Sequence, residues 1–348
     1  MMKALVLEGV QTLSIQDLPE PELSAGGAVI RVAANGVCRS DWHMWMGDMP
    51  RTYPIVLGHE MTGVVEEVAE GVTKFRKGDR VIVPFTGSDG TCPHCQTGHS
   101  HLCDDLQVPG RNYNGGYGEY VNVPLADRNM LHLPDEVSFI EGSALGCRFM
   151  TSFHGIVDRA AVAAGEWVVV YGCGGVGLSA INIAHTLGAR VIGVDLNPDN
   201  LQLARAMGAE FVIDGRSSHD PAGEVLELTK GGAHVSVDAL GIAETCVNGI
   251  RSLRKGGRHL QLGLTTKKEA GHVSVPIDLM IVRELKIIGS VGMPSHRFDA
   301  MVPLVASGRL APGKLMAGEI RLSEVAGVFD QMTRSAVTGT LVVTDFRN

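Results

Sequence analysis

The chain has 348 residues, which is enough for about two domains, and its hydrophobic content of 45% can fill their cores. A formal net charge of −8, without a dense cluster of Lys and Arg, argues against a nucleic-acid partner. No apolar run approaches the roughly 20 residues of a membrane helix, and Glu8 comes too early for a signal peptide, so we expect a cytoplasmic protein without a membrane partner.

The chain up to about residue 145 predicts a β-rich, partly barrel-like domain. Short β-like runs there are separated by Gly and Pro, which interrupt strands and form turns. The predicted strands are 3–7, 28–33, 63–69, 80–84 and 120–124.

Between about residues 165 and 289 the pattern changes to strands that alternate with helices, which predicts a parallel sheet. A buried strand at 167–171 precedes a helix at 175–187, which Gly188 ends, and Asn197 caps a second helix. Further strands are predicted at 191–194, 211–213, 235–238, 258–263 and 285–289. The chain then returns to the first domain with a helix near 295–307 and a strand at 340–345.

A glycine-rich turn follows the strand at 167–171. Its motif, Gly-x-Gly-x-x-Gly, is formed by Gly172, Gly174, Gly175, Val176 and Gly177. Such a turn lets the backbone approach a pyrophosphate at the N-terminus of the next helix. Asp195 ends the next strand, where a carboxylate binds ribose hydroxyls and repels a 2′-phosphate. This predicts a site for NAD rather than NADP, and the alternative is an acid that only caps a turn.

The cysteines favour metal binding over disulfides, because three of the seven lie close together in the sequence. The spacing Cys92-x2-Cys95-x7-Cys103 can bring three thiolates to one tetrahedral ion, although a loop of reduced cysteines without metal is the alternative. A second set is Cys38, His59 and Cys147. Two thiolates and one imidazole leave a fourth tetrahedral position open, as a catalytic zinc requires.

The segments around these residues resemble the zinc-dependent alcohol dehydrogenases of the medium-chain dehydrogenase/reductase superfamily. The matching segments are Cys38-Arg39-Ser40-Asp41-Trp42-His43, Gly58-His59-Glu60-Met61-Thr62-Gly63, and Gly146-Cys147 with Thr151. The resemblance covers essentially the whole chain and implies an α/β protein. Residues 1–149 and 290–348 would form a GroES-like β-rich catalytic domain, and 150–289 a Rossmann domain with a doubly wound parallel sheet that binds NAD.

The resemblance also implies two Zn²⁺ ions per subunit, one catalytic and one structural. Cys38, His59 and Cys147 would bind the catalytic ion, Glu60 would exchange onto it, and Asp41 would accept the free ring N–H of His59. Asp89, Cys92, Cys95 and Cys103 would bind the structural ion. Asp89 stands where relatives have a first cysteine, and His94, His99 or His101 are alternatives for this place.

The reaction implied is the zinc- and NAD-dependent oxidation of primary or secondary alcohols to aldehydes or ketones, and the reverse reduction, by hydride transfer from a zinc-bound alkoxide. Ser40 and His43 would relay the proton. Arg39 would bind the pyrophosphate and Thr151 would contact the nicotinamide, while Phe85 would line the alcohol pocket.

Two other functions remain open at this point. One is a polyol or amino-alcohol dehydrogenase of the same superfamily, of the sorbitol or threonine type. The other is a non-catalytic NAD-binding or structural protein of the same fold. For the assembly, the resemblance implies a homotetramer, with a dimer as the alternative, in which the edge strand 285–289 pairs across a twofold axis.

Overall fold

A computed structural model describes residues 1–49, 52–334 and 337–347, which form two compact units. The first unit contains Met1–Cys147, Gly292–Ala306 and Met316–Asn348, and the second contains Arg148–Val291 and Ser307–Leu315. The boundaries expected after residues 149 and 289 lie two residues from these divisions. Residues 307–315 group with the second unit.

Strands and helices are numbered along the chain. The strands are β1 Met2–Gly9, β2 Thr12–Leu18, β3 Ala28–Gly36, β4 Ile55–Val56, β5 Met61–Val68, β6 Arg80–Val83, β7 Tyr120–Val123, β8 Leu131–His132, β9 Trp167–Tyr171, β10 Arg190–Asp195, β11 Phe211–Asp214, β12 Ala233–Asp238, β13 Leu253–Gln261, β14 Lys286–Gly289, β15 Met316–Arg321 and β16 Thr340–Asp345. The helices are α1 Arg39–Trp45, α2 Pro93–Gln96, α3 Ala126–Asn129, α4 Phe139–Ser143, α5 Arg148–Phe153, α6 Gly175–Thr186, α7 Pro198–Ala206, α8 Pro221–Thr229, α9 Ala243–Arg251, α10 Ile277–Arg283, α11 Phe298–Ala306 and α12 Val325–Thr333.

The first unit is built on two sheets. One has the strand order β2-β1-β4, and the other has the order β15-β16-β3-β5-β6-β8, with β7 paired to β3. Apolar side chains of β1, β3, β5 and β6 share one core with α12, which contributes Phe329. The five strands predicted in this region are confirmed as β1, β3, β5, β6 and β7.

The second unit contains one six-stranded sheet in the order β11-β10-β9-β12-β13-β14, with every pair parallel. This is the strand order of the doubly wound dinucleotide-binding fold, so the predicted α/β fold class is confirmed. Strand β9 is central and buried along its whole length, which fits a strand covered by helices on both faces.

The strand predicted at 258–263 is present over residues 258–261, but its predicted limits are wrong at both ends. Strand β13 begins at Leu253, which pairs with Ala233, and it ends at Gln261. A register shift follows that first pair, and Gly256 has a φ of +72° inside the strand. The glycine pair at 256 and 257 therefore lies at an irregularity within one continuous strand.

The helix termini follow the predicted caps. The Asn197 side chain accepts a hydrogen bond from the Asp199 N–H at the start of α7, and Pro198 occupies the first helical position. Gly188, with a φ of +84°, directly follows Leu187, the C-cap residue of α6, and so ends the helix as predicted. Among the helices of the described residues, none combines the length and the apolar character needed to cross a membrane.

Candidate functional site

The first unit gathers four buried potential metal ligands, which we call the catalytic cluster: Cys38, His59, Glu60 and Cys147. One ligand atom from each lies within 4.8 Å of every other. The two sulfurs are 3.9 Å apart. Sulfurs about 2.3 Å from one zinc at a tetrahedral angle would be about 3.8 Å apart, so the residues present fit this ion.

Local structure explains how these side chains converge. Cys38 is the residue before α1, His59 and Glu60 precede β5, and Cys147 ends the short 3₁₀ segment Ala144–Gly146. The Gly146 carbonyl accepts a hydrogen bond from the Phe85 N–H at 2.9 Å, which fixes the segment carrying Cys147 beside the end of β6.

Asp41 is fully buried and holds the catalytic cluster in place. Its Oδ1 lies 2.8 Å from Nδ1 of His59 and accepts the Gly58 N–H at 3.2 Å. Its Oδ2 accepts the Tyr117 hydroxyl at 3.1 Å and the Cys38 N–H at 3.4 Å. Because Nδ1 is engaged, Nε2 of His59 is the nitrogen available to a metal ion.

The electrostatics of His59 follow from these contacts. Burial lowers the pKa of the imidazole, but the charges of Asp41 and Cys38 outweigh burial and raise this pKa well above its usual value. A metal ion requires the neutral ring, so binding it must release this proton. Burial and the Asp41 carboxylate also raise the pKa of Tyr117, which therefore remains a neutral donor.

The two residues of the predicted proton relay have different surroundings. Ser40 lies next to the catalytic cluster, with its Oγ 3.8 Å from the Cys38 sulfur. His43 is half-buried, and its Nδ1 lies 2.7 Å from Oδ2 of Asp48. Asp48 was not among the predicted site residues, although an acid five residues after a candidate histidine base could have indicated a partner for its ring.

Aromatic and cationic neighbours complete this part of the first unit. The ring of Phe85 meets His59 edge-on, with centroids 6.1 Å apart. Arg39 stacks on Trp42, with 4.0 Å between its Cζ and the ring centroid, and donates to the Met332 carbonyl at 2.7 Å. The role expected of Arg39 toward a pyrophosphate stays a prediction.

A second candidate metal centre, which we call the metal lobe, lies at residues 89–103. Asp89, Cys92, Cys95 and Cys103 offer ligand atoms that all lie within 4.8 Å of one another. Oδ1 of Asp89 is 3.1 Å from the Cys103 sulfur. Among the described residues, neither His94 nor the other two candidate histidines belongs to the group. One carboxylate and three thiolates are an acceptable donor set for zinc.

Hydrogen bonds stabilise the ionised form of the Asp89 carboxylate, which is the form that binds a metal ion. The Thr91 hydroxyl and the Thr91 N–H both donate to it, and together with Cys103 they lower the pKa of Asp89 to about 2. Burial raises the pKa of the Cys103 thiol to about 12, so that thiol would lose its proton only to a bound metal.

The glycine turn of the second unit connects β9 to α6. Gly172 has a φ of +90°, and a Cβ at Gly177 would lie 1.8 Å from the Gly172 carbonyl oxygen, so both positions require glycine. Asp195 accepts the Cys173 N–H at 2.6 Å and the Asn197 N–H at 2.7 Å. Asp195 therefore also fixes the turn to the end of β10, which is the turn-capping contact that the sequence offered as the alternative for this acid. Thr151, the predicted nicotinamide contact, is half-buried in α5.

Comparison with known families gives two matches. Residues 24–135 match the alcohol dehydrogenase GroES-like domain, and residues 175–307 match the zinc-binding dehydrogenase family. The first match contains Cys38, His59 and the metal lobe, and the second begins within the glycine turn.

Individual relatives match over nearly the full length of the chain. An alcohol dehydrogenase of Geobacillus stearothermophilus is 32% identical, and the alignment covers 98% of this chain and 99% of the relative. An NAD-dependent alcohol dehydrogenase of Sulfurisphaera tokodaii is also 32% identical, with the same coverage of 98% and 99%. The structure of the alcohol dehydrogenase TADH from Thermus sp. ATN1 superposes with a TM-score of 0.91 at 29% identity, covering 99% of both chains.

Proposed function

The chain belongs to the zinc-type alcohol dehydrogenases of the medium-chain dehydrogenase/reductase superfamily, and from this premise we propose that it oxidises primary or secondary alcohols with NAD. The products are aldehydes or ketones, and the reverse reaction reduces them. The observation that carries this proposal is the convergence of Cys38, His59, Glu60 and Cys147 in one buried cluster with zinc-like spacing.

The catalytic cluster would hold a zinc ion through Cys38, His59 and Cys147, with Glu60 as an exchanging ligand. Zinc at such a site supplies Lewis acidity, which lowers the pKa of an alcohol hydroxyl and polarises a carbonyl. Asp41 keeps His59 in the tautomer that presents Nε2. Phe85, edge-on to His59, would line the alcohol pocket on this side of the cluster.

The proton of the alcohol would leave through side chains of the first unit. Ser40 accepts it at Oγ, next to Cys38. His43 releases it to solvent, because the ring is partly exposed and Asp48 orients it. Histidine suits this final step, since its pKa ordinarily lies near working pH.

The second unit would bind NAD at the glycine turn. The amides at the start of α6 bind the pyrophosphate, and Asp195 binds the ribose hydroxyls. Asp195 uses some of its oxygen lone pairs on backbone N–H groups, but a carboxylate has about four acceptor sites, so capacity remains. Its charge disfavours the 2′-phosphate of NADP. Arg39 would add a pyrophosphate contact, and Thr151 would contact the nicotinamide.

The metal lobe would hold a second, structural zinc through Asp89, Cys92, Cys95 and Cys103, giving two ions per subunit. The short separations among these side chains support this proposal. Such an ion contributes directly to the stability of its loop, because four side chains converge on it.

The chain would assemble as a homotetramer, with a dimer as the alternative. Strand β14 lies at the end of its sheet, paired on one side to β13 in the described structure. Large apolar side chains are exposed on β14 and on the preceding helix α10, with Ile287 46%, Ile281 68% and Val282 74% accessible. An edge strand can pair with a strand of another subunit, and exposed apolar side chains near it would be buried by that pairing. Sedimentation equilibrium tests this, and a strict monomer would contradict it.

The function is tested by the initial rate of NADH formation. Purified protein of known zinc content is assayed with primary, secondary and aromatic alcohols, polyols and amino alcohols, with NADP as the alternative oxidant. We expect turnover of simple alcohols with NAD. Turnover of polyols or amino alcohols alone would instead support the sorbitol or threonine type. Zinc-loaded protein that turns over none of these would contradict the proposal.

A further inference from the structure

Asp238 is a fully buried carboxylate of the second unit and has no part in the proposed mechanism. It ends β12 and is 0% exposed. Its Oδ1 accepts the Leu240 N–H at 2.9 Å, the Gly241 N–H at 3.0 Å and the Thr245 hydroxyl at 3.0 Å. Its Oδ2 accepts Nε2 of Gln261 at 2.9 Å. A buried carboxylate is costly unless donors surround it, and these donors come from the chain after β12 and from the end of β13.

Gln261 continues this hydrogen-bond network across β13. Its amide nitrogen also donates to the Gly263 carbonyl at 2.9 Å, and its Oε1 lies 3.1 Å from Nε2 of His259. That ring nitrogen therefore carries the proton, and Nδ1 of His259 accepts the Ser236 hydroxyl at 2.8 Å. Burial lowers the pKa of His259, which agrees with a neutral ring. Along this network each donor meets an acceptor, so the direction of every hydrogen bond from Ser236 to Asp238 is fixed.

The network holds two segments at the carboxyl edge of the parallel sheet. We call them the β12 loop, residues 239–241, and the β13 loop, residues 262–264. The backbone carbonyl of Asp238 accepts the Gly263 N–H at 2.9 Å. A Cβ at Gly263 would collide with the Gly241 nitrogen, so the two loops touch backbone to backbone. A shift of one loop must therefore move the other.

These loops lie where a doubly wound sheet receives its ligand. The strand order reverses between β9 and β12, and dinucleotides bind outside the carboxyl ends of the strands at such a point. A Cβ at Gly172 of the glycine turn would lie 3.2 Å from Cβ of Leu240, so the β12 loop adjoins that turn. Leu240 is 49% exposed and Leu264 is 65% exposed. Each loop therefore presents a large apolar side chain at the surface there.

The place of the loops in the sheet indicates which part of the dinucleotide they face. Asp195 ends β10, which lies on the opposite side of β9 from β12. Each half of such a sheet binds one mononucleotide, so with the adenosine ribose at Asp195 the nicotinamide half would lie over β12 and β13. We propose that Asp238 and Gln261 are positioning residues that hold the β12 and β13 loops in place for the nicotinamide half. The proposal rests on the proposed use of NAD and deepens it, because these two residues act through the loops and not by contact with the cofactor.

The test compares a ligand that spans both halves of the site with one that fills only the first. NADH and AMP are titrated against wild-type protein, Asp238→Asn and Gln261→Met, by fluorescence and by competition. Asp238→Asn keeps the shape of the side chain but replaces one acceptor oxygen with a donor, and Gln261→Met removes the donor to Gly263. We expect each variant to raise the dissociation constant of NADH roughly tenfold and to change that of AMP by less than about twofold.

Ser236→Ala is the matched control, because it breaks the same network at its interior end, away from both loops. It should lower the free energy of unfolding, measured with urea, and leave the dissociation constant of NADH within about twofold. The double variant Asp238→Asn/Gln261→Met should weaken NADH binding about as much as one single variant, because both changes act on the same contact. Multiplication of the two separate effects would contradict a shared contact.

A merely structural network would give another pattern. It would weaken NADH and AMP equally, or Ser236→Ala would weaken NADH as much as Asp238→Asn does, and either result would overturn the proposal. If Asp238→Asn does not fold, Gln261→Met decides the question by the same measurement, because Gln261 is only half-buried and methionine has a similar length.

Failure of this inference is distinguishable from failure of the proposed function. Wild-type protein that binds no NADH rejects the function. Wild-type binding of NADH that Asp238→Asn and Gln261→Met both retain within about twofold rejects only the positioning role.

Discussion

At the scale of single residues, Asp41 orients the imidazole of His59 within the catalytic cluster. We expect Asp41→Asn to lower the affinity for the catalytic zinc by about 10- to 100-fold, because a neutral amide is a weaker acceptor for the His59 N–H and offers one acceptor oxygen where the carboxylate offers two. Competition with a coloured chelator measures this affinity. The matched control is Asp48→Asn, which changes an acid that contacts His43 instead. Zinc retention by Asp41→Asn equal to that of wild type would reject this role.

Asp89 should set the rate at which the metal lobe releases its ion. A thiolate is a softer ligand and binds zinc more firmly than a carboxylate, so Asp89→Cys should release zinc about tenfold more slowly, and Asp89→Asn faster. Release is followed with a zinc-sensitive dye under excess chelator. Asp104→Asn changes an exposed neighbouring acid outside the group of four and should leave the rate unchanged. The same rate in all three variants would mean that Asp89 is not a ligand.

The site roles of some of these residues can be predicted from the sequence, and those of others cannot. The spacing of Cys92, Cys95 and Cys103 is local, so the metal lobe could be predicted from the chain alone. Tyr117 binds Asp41 across 76 residues, and no local pattern reveals such a contact.

At the scale of elements, one ion pair connects strands of the parallel sheet. Glu166, just before β9, accepts Arg258 of β13 at 2.5 Å and the Ala163 N–H at 3.0 Å. Burial raises the pKa of Glu166, but the hydrogen bond and charge of Arg258 lower it further, so the net shift is downward. The stabilisation is therefore present above the ordinary value of 4.5 and lost as the pH falls through the lowered pKa.

Arg258→Met should consequently reduce the free energy of unfolding by about 1 kcal/mol near neutral pH, because it leaves the half-buried Glu166 carboxylate without its charged partner. The difference from wild type should shrink as the pH falls below 4.5. Urea unfolding at several pH values measures it. Arg216→Met removes an exposed pair with Asp214 and should cost less than about 0.5 kcal/mol. A deficit for Arg258→Met that is independent of pH would contradict this account.

Strands could be predicted where several consecutive apolar residues are bounded by turn residues. Strand β9 and the closing strand β16 have the predicted limits, because β9 is a continuous run of apolar and aromatic residues and β16 is centred on Leu341, Val342 and Val343. Strand β2 was missed because its residues are mostly polar and partly exposed. Strands β4 and β8 contain two residues each and leave no periodicity to detect.

At the scale of the whole molecule, the edge at β14 should control assembly. Ile287→Lys places a charge on the exposed edge, so the protein should dissociate into smaller species, as edge lysines oppose strand pairing. Analytical ultracentrifugation measures this. The control is Ile15→Lys, since Ile15 is 41% exposed on β2, another edge strand. If Ile15→Lys dissociates the protein and Ile287→Lys does not, the association surface lies on the first unit.

The fold class could be predicted from the sequence, but the strand order could not. Alternating strands and helices indicate a parallel sheet, whichever strand lies in the middle. The order with β9 beside both β10 and β12 depends on pairings between residues far apart, such as Val168 with Val235. Only the glycine turn after β9 hinted at this central place, because such turns lie where the strand order reverses.

The two candidate metal centres differ in how much chain they enclose, and this difference bears on the order in which a newly made polypeptide would acquire the two proposed ions. The metal lobe joins residues at most 14 positions apart, while Cys38 and Cys147 are separated by 109. Closing the longer loop costs about 2 kcal/mol more in chain entropy. The nascent chain should therefore load the lobe soon after Cys103 leaves the ribosome, and fill the other centre only after folding. Pulsed zinc addition during refolding, followed by rapid chelation, should trap protein with one ion, held in the lobe; trapping the ion at Cys38 and Cys147 instead would reverse this sequence of events.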